Sequence, residues 1–247
     1  MSARAKSGRE ESMALTRIGL LGGMSWESTA VYYRLLNEMV HERVGGHASA
    51  PVLVWSVDFA EIEALQRAGD WDEQGRILGE AAWALQQAGV EAVALGTNTL
   101  HLVADAITAR ITVPFVDLID VVGKAVADAG HHRVGLLATG YTMASDLYPN
   151  RLAKHGVDVV VPDEADRALV HRVIFDELVH GVVRDESRTA YLDVVARLVA
   201  GGVDAVVLGC TEIGLLLRDG DAAVPLLDTT RLHCETLTDI MISGVRP

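Results

Sequence analysis

The stretch that decides the fold is "AVALGTNTLH", from Ala92 to His101, because the chain repeats it as "AVVLGCTEIG" from Ala205 to Gly214. In both copies a short apolar run ends at a glycine, and small polar residues then open what the pattern predicts to be a helix. The copies differ at one chemically important position, since Thr97 in the first is matched by Cys210 in the second. A strand-to-turn unit that is written twice indicates a duplicated architecture.

Strand-like and helix-like segments alternate along the whole chain. Short, apolar, β-branched runs separated by segments of helical periodicity are typical of buried parallel strands in an α/β fold. Three pairs of segments match between the halves, in the same order and at a nearly constant offset, which predicts an internal duplication. The matched pairs are Arg17 with Arg133, Thr97 with Cys210, and Pro114 with Pro225. The predicted strands are Arg17–Gly22, Ala50–Val57, Glu91–Gly96, Val113–Leu118, Arg133–Thr139, Asp158–Pro162, Asp204–Gly209 and Val224–Thr229.

We therefore predict two pseudo-symmetric α/β lobes, each a parallel sheet flanked by helices, with the active site in the cleft between them. Parallel sheets bind their ligands at the carboxyl ends of strands, so chemistry is expected in the turns that follow the strands. The predicted division is a disordered tail at 1–14, a first lobe at 15–115 that is joined by a C-terminal helix at 228–245, and a second lobe at 116–227.

Composition and charge exclude several classes of partner. The 247 residues are 50% hydrophobic, enough for real cores, and carry a formal net charge of −13. Nucleic acid and anionic membrane surfaces need clustered Lys and Arg, so neither is expected as a partner. Two cysteines without a paired motif predict no disulfide framework and no zinc site. The polar N-terminus and the lack of a long apolar run predict a cytoplasmic protein without a membrane helix.

Small and polar residues follow several of the predicted strands. Gly22–Gly23 would let the backbone approach a ligand, and the next helix offers free N–H groups to an anion, although the spacing is not a dinucleotide fingerprint. Thr139 and Thr142 bracket a glycine and a tyrosine and also suit an anion. Asn98 and Thr99 are good helix-capping residues, so capping alone explains them without any function.

Cys210 is the best candidate for a nucleophile or base. It is predicted to occupy a turn at a helix N-terminus, where backbone amides and the helix dipole lower the pKa of a thiol from about 8.5. Glu212 either tunes this thiol or favours the helix N-terminus electrostatically. Cys234 falls inside the predicted C-terminal helix and is expected to serve packing. His101, in the first turn of its own helix, is expected to be structural or solvated.

Five motifs occur in order from about Arg17 to the C-terminal helix: "GLLGGMSWEST", "GTNTLH", "LLATGYTM", "GCTEI" and "PLLDTT". Together they resemble the aspartate/glutamate racemase family, whose members interconvert amino-acid enantiomers without pyridoxal phosphate. The resemblance implies two lobes with a small amino-acid or dicarboxylate substrate held between them, no cofactor or metal, and a homodimer. It also implies two catalytic cysteines, one from each lobe. The second of these is Cys210, whereas Thr97 occupies the position of the first.

The resemblance also implies where the substrate binds. Met24 lies in the glycine turn that closes over the substrate. The residues implied to hold the substrate carboxylates are Asn98, Thr99, Thr139, Thr142 and Thr211. The arginine that aspartate-specific members place after the second strand is missing, and Ser56 and Asp58 stand near its place. Possible cationic contacts from the second lobe are His171, Arg172 and His180.

Racemisation without a cofactor needs a base and an acid on opposite faces of Cα. A threonine hydroxyl is a very poor base near neutral pH, so proton abstraction is expected from one face only, by Cys210. Thr97 would donate a proton or position a water that does. The predicted result is strongly enantiomer-biased kinetics, and the resemblance implies that the thiol faces the proton of the L-enantiomer.

Two alternatives stay open at this point. A single-thiol decarboxylase of malonate-type acids needs one cysteine to protonate an enediolate and no second base. A non-catalytic relic would bind a dicarboxylate without chemistry. Release of carbon dioxide would distinguish the first, and ligand-induced stabilisation without Cα exchange would distinguish the second.

Overall fold

The computed structural model describes residues 14–218 and 220–245, and these form two four-stranded parallel sheets. The strands are β1 (Ile18–Gly22), β2 (Val52–Ser56), β3 (Ala92–Leu95), β4 (Phe115–Val116), β5 (Arg133–Ala138), β6 (Asp158–Val160), β7 (Ala205–Gly209) and β8 (Leu226–Asp228). The strand order is β2-β1-β3-β4 in the first sheet and β6-β5-β7-β8 in the second. The two orders are the same once the numbering is shifted by four strands, so the predicted duplication is visible in the topology.

Three of the four central strands are buried along their whole length, which explains their continuous apolar sequences. Every residue of β1, β3 and β7 is buried, as a strand with helices on both faces requires. Leu20 of β1 pairs with Ala94 of β3, and Leu136 of β5 pairs with Val207 of β7, so the register is also equivalent in the two sheets. All eight predicted strands and the α/β fold class are confirmed.

The helices follow the strands on both faces of each sheet, and their capping residues mark where they begin. Asp70 accepts a hydrogen bond from the N–H of Glu73 at the start of α3, and Asp228 accepts from two N–H groups at the start of α11. The helices are α1 (Trp26–Val44), α2 (Phe59–Ala68), α3 (Trp71–Gln87), α4 (Ala104–Thr108), α5 (Leu118–Asp128), α6 (Gly140–Met143), α7 (Leu147–Ala153), α8 (Glu164–Asp176), α9 (Asp185–Ala200), α10 (Ile213–Leu216) and α11 (Thr229–Ser243). Short 3₁₀ turns cover Thr99–Val103 and Leu178–His180.

The largest apolar cluster runs through both halves of the chain, and α11 packs against both α1 and α5 within it. A buried histidine of α11 links these parts. The Tyr32 hydroxyl of α1 donates to Nδ1 of His233 at 2.9 Å, and Nε2–H of His233 donates to the Val116 carbonyl at 3.0 Å. The neutral tautomer is set by these partners, because a carbonyl can only accept. Cys234 beside it is fully buried, as expected of a packing residue.

Burial of His233 predicts a loss of stability in acid. Desolvation lowers its pKa from 6.5 to about 3, so between these values the unfolded chain binds a proton that the folded chain excludes. The free energy of unfolding should therefore fall as pH drops from 6.5 towards 3, by roughly 4 kcal/mol from this residue alone. Urea unfolding of the wild type and of His233→Gln over this range tests the prediction, with the exposed His180→Gln as control. Parallel curves for wild type and His233→Gln would contradict it.

The predicted lobe boundaries stay a prediction. The first sheet lies between Ile18 and Val116, and the second between Arg133 and Asp228. The predicted tail at 1–14 falls almost wholly outside the described residues. Within the described part of the chain, no helix has the length and apolar character that crossing a membrane requires.

Candidate active site

A narrow cleft lies at the carboxyl ends of the strands, between the two sheets. It is where a parallel-sheet protein is expected to bind its ligand. Eight of the residues singled out in the sequence line it: Met24, Thr97, Asn98, Thr99, Thr139, Cys210, Thr211 and Glu212. The turns after β1, β3, β5 and β7 supply them, so equivalent strand ends of the two halves face one space.

In the glycine turn after β1, the backbone at Gly23 packs closely against the backbone at Val57. Gly23 has φ +94°, and a Cβ at this position would lie 2.3 Å from the carbonyl oxygen of Val57. Only glycine fits such a position without displacing the backbone. The turn delivers Met24 to the wall of the cleft.

Thr142, one of the residues implied to hold the substrate, lies directly behind the lining of the cleft. It is fully buried, and its hydroxyl lies 3.0 Å from that of Thr99 and 3.1 Å from that of Thr139. The Thr99 and Thr139 hydroxyls are themselves 3.0 Å apart, which closes a triangle between the two halves. The hydroxyl of Thr142 thus contacts those of two residues that line the cleft, Thr99 and Thr139.

The turn after β3 is held by hydrogen bonds of the Asn98 and His101 side chains. Asn98 makes no capping contact: its amide donates to Thr229 Oγ1 at 3.2 Å, and its oxygen accepts from the hydroxyl of Tyr148. His101 is buried, and its Nδ1–H donates to the carbonyl of Thr97 at 2.8 Å. The other ring nitrogen accepts from the N–H of Leu118 at 3.1 Å. Desolvation lowers the pKa of His101, so this imidazole is neutral and structural, as predicted.

On the opposite wall, Cys210 contacts a buried carboxylate that spans the two halves. Its thiol donates to Oε2 of Glu212 at 3.0 Å. The other carboxylate oxygen, Oε1, accepts from the hydroxyls of Ser25 and Ser28, each at 2.8 Å. Glu212 is 5% exposed, and none of the ion pairs found in the described residues includes it. Three neutral donors thus hold one acidic group at the edge of the cleft.

The expectation that Cys210 has a lowered pKa is wrong. Desolvation raises the pKa of the thiol well above its ordinary value, and the charge of Glu212 raises it further. The helix that follows, α10, has only four residues, so it offers little dipole to oppose these effects. Both effects favour the protonated thiol.

The predicted cationic contacts do not reach the cleft. His171 instead accepts the N–H of Gly140 at 3.1 Å, and Arg172 and His180 are exposed. Ser56 and Asp58, near the place of the missing arginine, are exposed as well. Among the described residues that line the cleft, none is Lys, Arg or His.

Several cleft residues were missed by the sequence reasoning. Gln66 of α2 is buried and lines the cleft, whereas the next residue, Arg67, is exposed and pairs with Glu63. Ser25 and Ser28 stand within the quoted glycine-turn motif, but their pattern also fits a helix N-terminus. Within residues 14–218 and 220–245, no group of three or more His, Cys, Asp or Glu could hold a metal ion.

The sequence and the fold are similar to those of known amino-acid racemases and their homologues. The model of the Asp/Glu/Hydantoin racemase family matches residues 21–237. A proposed Asp/Glu racemase from Yersinia pestis is 43% identical with a TM-score of 0.86, over 92% of this chain and 99% of that one. An aspartate racemase homologue from Pyrococcus horikoshii is 32% identical with a TM-score of 0.82, over the same shares of the two chains.

A curated glutamate racemase from Herpetosiphon aurantiacus is 34% identical over 141 residues. That match covers 56% of this chain and 54% of the relative, so the chain aligns with about half the length of such an enzyme. The family model and the two structural relatives extend over most of the chain. The protein belongs to the Asp/Glu/Hydantoin racemase family.

Proposed function

We propose that the protein is a pyridoxal-phosphate-independent racemase of aspartate, glutamate or both, which uses one thiol. The observation that carries the proposal is the pairing of Cys210 and Thr97 at equivalent strand ends of the two sheets, in one cleft. Membership of the family supports amino acids as the substrate class. A homodimer, which the family resemblance implies, is part of the same proposal, and sedimentation equilibrium tests it.

In this mechanism Cys210 removes the Cα proton of the bound amino acid as a thiolate, and the opposite face is reprotonated from the side of Thr97. Charge that develops on the α-carboxylate needs donors fixed in advance. The hydroxyls of Thr99, Thr139 and Thr211 line the cleft and are suited to this task. The contacts of Thr142 with two of these hydroxyls would keep them oriented.

The proposal predicts a strong kinetic asymmetry. A thiolate is a far better base near neutral pH than a threonine hydroxyl, so the carbanion forms readily from one enantiomer and slowly from the other. For the same reason the carbanion is reprotonated mostly on the face of Cys210, which regenerates the enantiomer that is deprotonated readily. Net kcat/KM must still be equal in the two directions, because the equilibrium constant of a racemisation is unity. The asymmetry therefore appears in isotope exchange and in the separate values of kcat and KM.

The side chain of the substrate would meet neutral groups. Gln66 stands in the cleft, and its amide can donate to a side-chain carboxylate. Hydrogen bonds to charged groups are worth about 1.5–3 kcal/mol, so Gln66→Ala should raise KM for the preferred acid roughly 10- to 100-fold. Exchange kinetics with aspartate and glutamate measure this, and the exposed Gln87→Ala is the control. Equal KM values for Gln66→Ala and wild type would rule out this contact.

The activity itself is tested by deuterium entry at Cα. Each enantiomer of aspartate and glutamate is incubated with the protein in heavy water and followed by NMR. Entry into at least one of the four is expected. If none exchanges, the racemase proposal for these acids is wrong. Carbon dioxide release from aryl- or alkylmalonates would then indicate a decarboxylase, and stabilisation by dicarboxylates without exchange would indicate a binding protein.

A further inference from the structure

Glu212 is an acidic group in a cleft that otherwise offers neutral partners. The residue is 5% exposed, and the hydrogen-bond partners of its carboxylate are one thiol and two serine hydroxyls. Burying a carboxylate is costly unless it is paired with a positive charge or fully hydrogen-bonded. No Lys, Arg or His is found in the described lining of the cleft, so the protein itself provides no counter-ion there.

An amino-acid substrate brings such a counter-ion with it. Its carboxylates are suited to the hydroxyls and amides of the cleft, whereas its α-ammonium group needs an acceptor. We propose that Glu212 receives the substrate's ammonium group and that its arrival releases the Cys210 thiol from this carboxylate. The inference rests on the proposed function, because it takes an α-amino acid as the ligand.

The geometry gives the two oxygens of Glu212 separate tasks. Ser25 and Ser28 both donate to Oε1 and fix the carboxylate from the first-lobe side. Oε2 has the thiol of Cys210 as its partner at 3.0 Å, so an ammonium group that binds Oε2 competes directly with that thiol. The thiol proton leaves to solvent, and the ammonium charge replaces it beside the carboxylate. The base is thus generated when substrate is bound and stays protonated when the cleft is empty.

Within the described residues, no other charged side chain lines the cleft. Tyr141 shares the cleft with Cys210, and the phenols of Tyr148 and Tyr191 lie within electrostatic reach of its thiol. Desolvation raises the pKa of Tyr148 and of Tyr191, so these two stay neutral. Glu212 is therefore the group whose charge acts on the thiol, and it is a positioning residue for Cys210 as well as a binding residue.

The first test measures the thiol without any substrate. Alkylation by iodoacetamide is followed against pH, with Cys210→Ala as the background from Cys234. In the wild type the apparent pKa of Cys210 should exceed that of an ordinary thiol. In Glu212→Gln a neutral amide replaces the carboxylate, so the apparent pKa should fall and alkylation at neutral pH should quicken roughly three- to tenfold. Glu177→Gln is the matched control, since Glu177 accepts from Ser187 outside the cleft.

The second test measures recognition of the ammonium group. L-aspartate and succinate carry the same carboxylates, but only aspartate has the ammonium, and calorimetry compares their binding. The wild type should prefer aspartate, and Glu212→Gln should lose roughly 10- to 100-fold of that preference. Equal binding of the two ligands by the wild type, or an apparent thiol pKa below 8, overturns the inference even if Glu212→Gln fails to fold.

The two proposals fail in different ways. If the ammonium preference depends on Glu212 but no acid exchanges its Cα proton, the inference holds and the racemase proposal fails. If exchange proceeds but Glu212→Gln keeps the wild-type KM, alkylation profile and ligand preference, the racemase proposal holds and the inference fails.

Discussion

Replacement of Cys210 by alanine is expected to slow deuterium entry at Cα of the preferred acid by a factor of roughly 10² to 10⁴, the usual contribution of a positioned acid–base group. The cleft would then hold no thiol, and the hydroxyls that remain in it are poor bases. NMR in heavy water measures the effect. Because Cys210 packs only partly against the core, the variant should fold, and circular dichroism checks this.

The matched control is Cys234→Ala, which removes the other thiol of the chain. Cys234 lies in α11, is fully buried and does not line the cleft, so its loss should affect stability and leave exchange nearly unchanged. A Cys210→Ala variant that folds and keeps more than a tenth of the wild-type exchange rate would contradict the assignment of the base.

Replacement of Thr97 by cysteine should accelerate deuterium entry at Cα, and it should do so for the enantiomer that the wild type exchanges more slowly. The turn of Thr97 ends β3 as that of Cys210 ends β7, and both residues line the cleft, so a thiol at position 97 would supply a second base. Exchange of the slower enantiomer should rise by roughly 10²-fold or more, while that of the faster one changes little.

Thr97→Val is the control for this substitution, because it keeps the shape of the side chain and removes the hydroxyl. It should slow net racemisation if the hydroxyl delivers the second proton, and leave it unchanged if a water does so. A Thr97→Cys variant whose exchange rates for both enantiomers equal those of the wild type would show that position 97 does not face Cα.

The fold could be predicted from the sequence because its signals are local and repeated. The strands that contain Leu20 and Leu136 are continuous apolar runs in the sequence. The matched turns at Thr97 and Cys210 predict two equivalent sheets. Topology then follows, since parallel strands joined by helices have few ways to pair. The placement of most candidate residues around one cleft is a consequence of that topology.

The finer structure of the site could not be predicted, because it depends on contacts between distant segments. Ser25 and Ser28 meet Glu212 across 187 and 184 positions of the chain, and their local pattern indicates only a helix start. The pKa of Cys210 was mispredicted for the same reason: the turn suggests a helix dipole, whereas burial and the facing carboxylate dominate. The position of Thr142 behind Thr99 and Thr139 could not be predicted either, because a motif does not show which of its hydroxyls contact one another.

The central claim is that one thiol, and not two, works at Cα. The measurement that tests it most directly compares deuterium entry into the L- and D-enantiomers of the preferred acid while following the configuration of the product. We expect the L-enantiomer to exchange at least tenfold faster than the D-enantiomer and mostly to keep its configuration, because Cys210 returns a solvent-derived deuteron to the face it deprotonated. Equal exchange rates for the two enantiomers, each accompanied by inversion, would contradict it and indicate two equivalent bases.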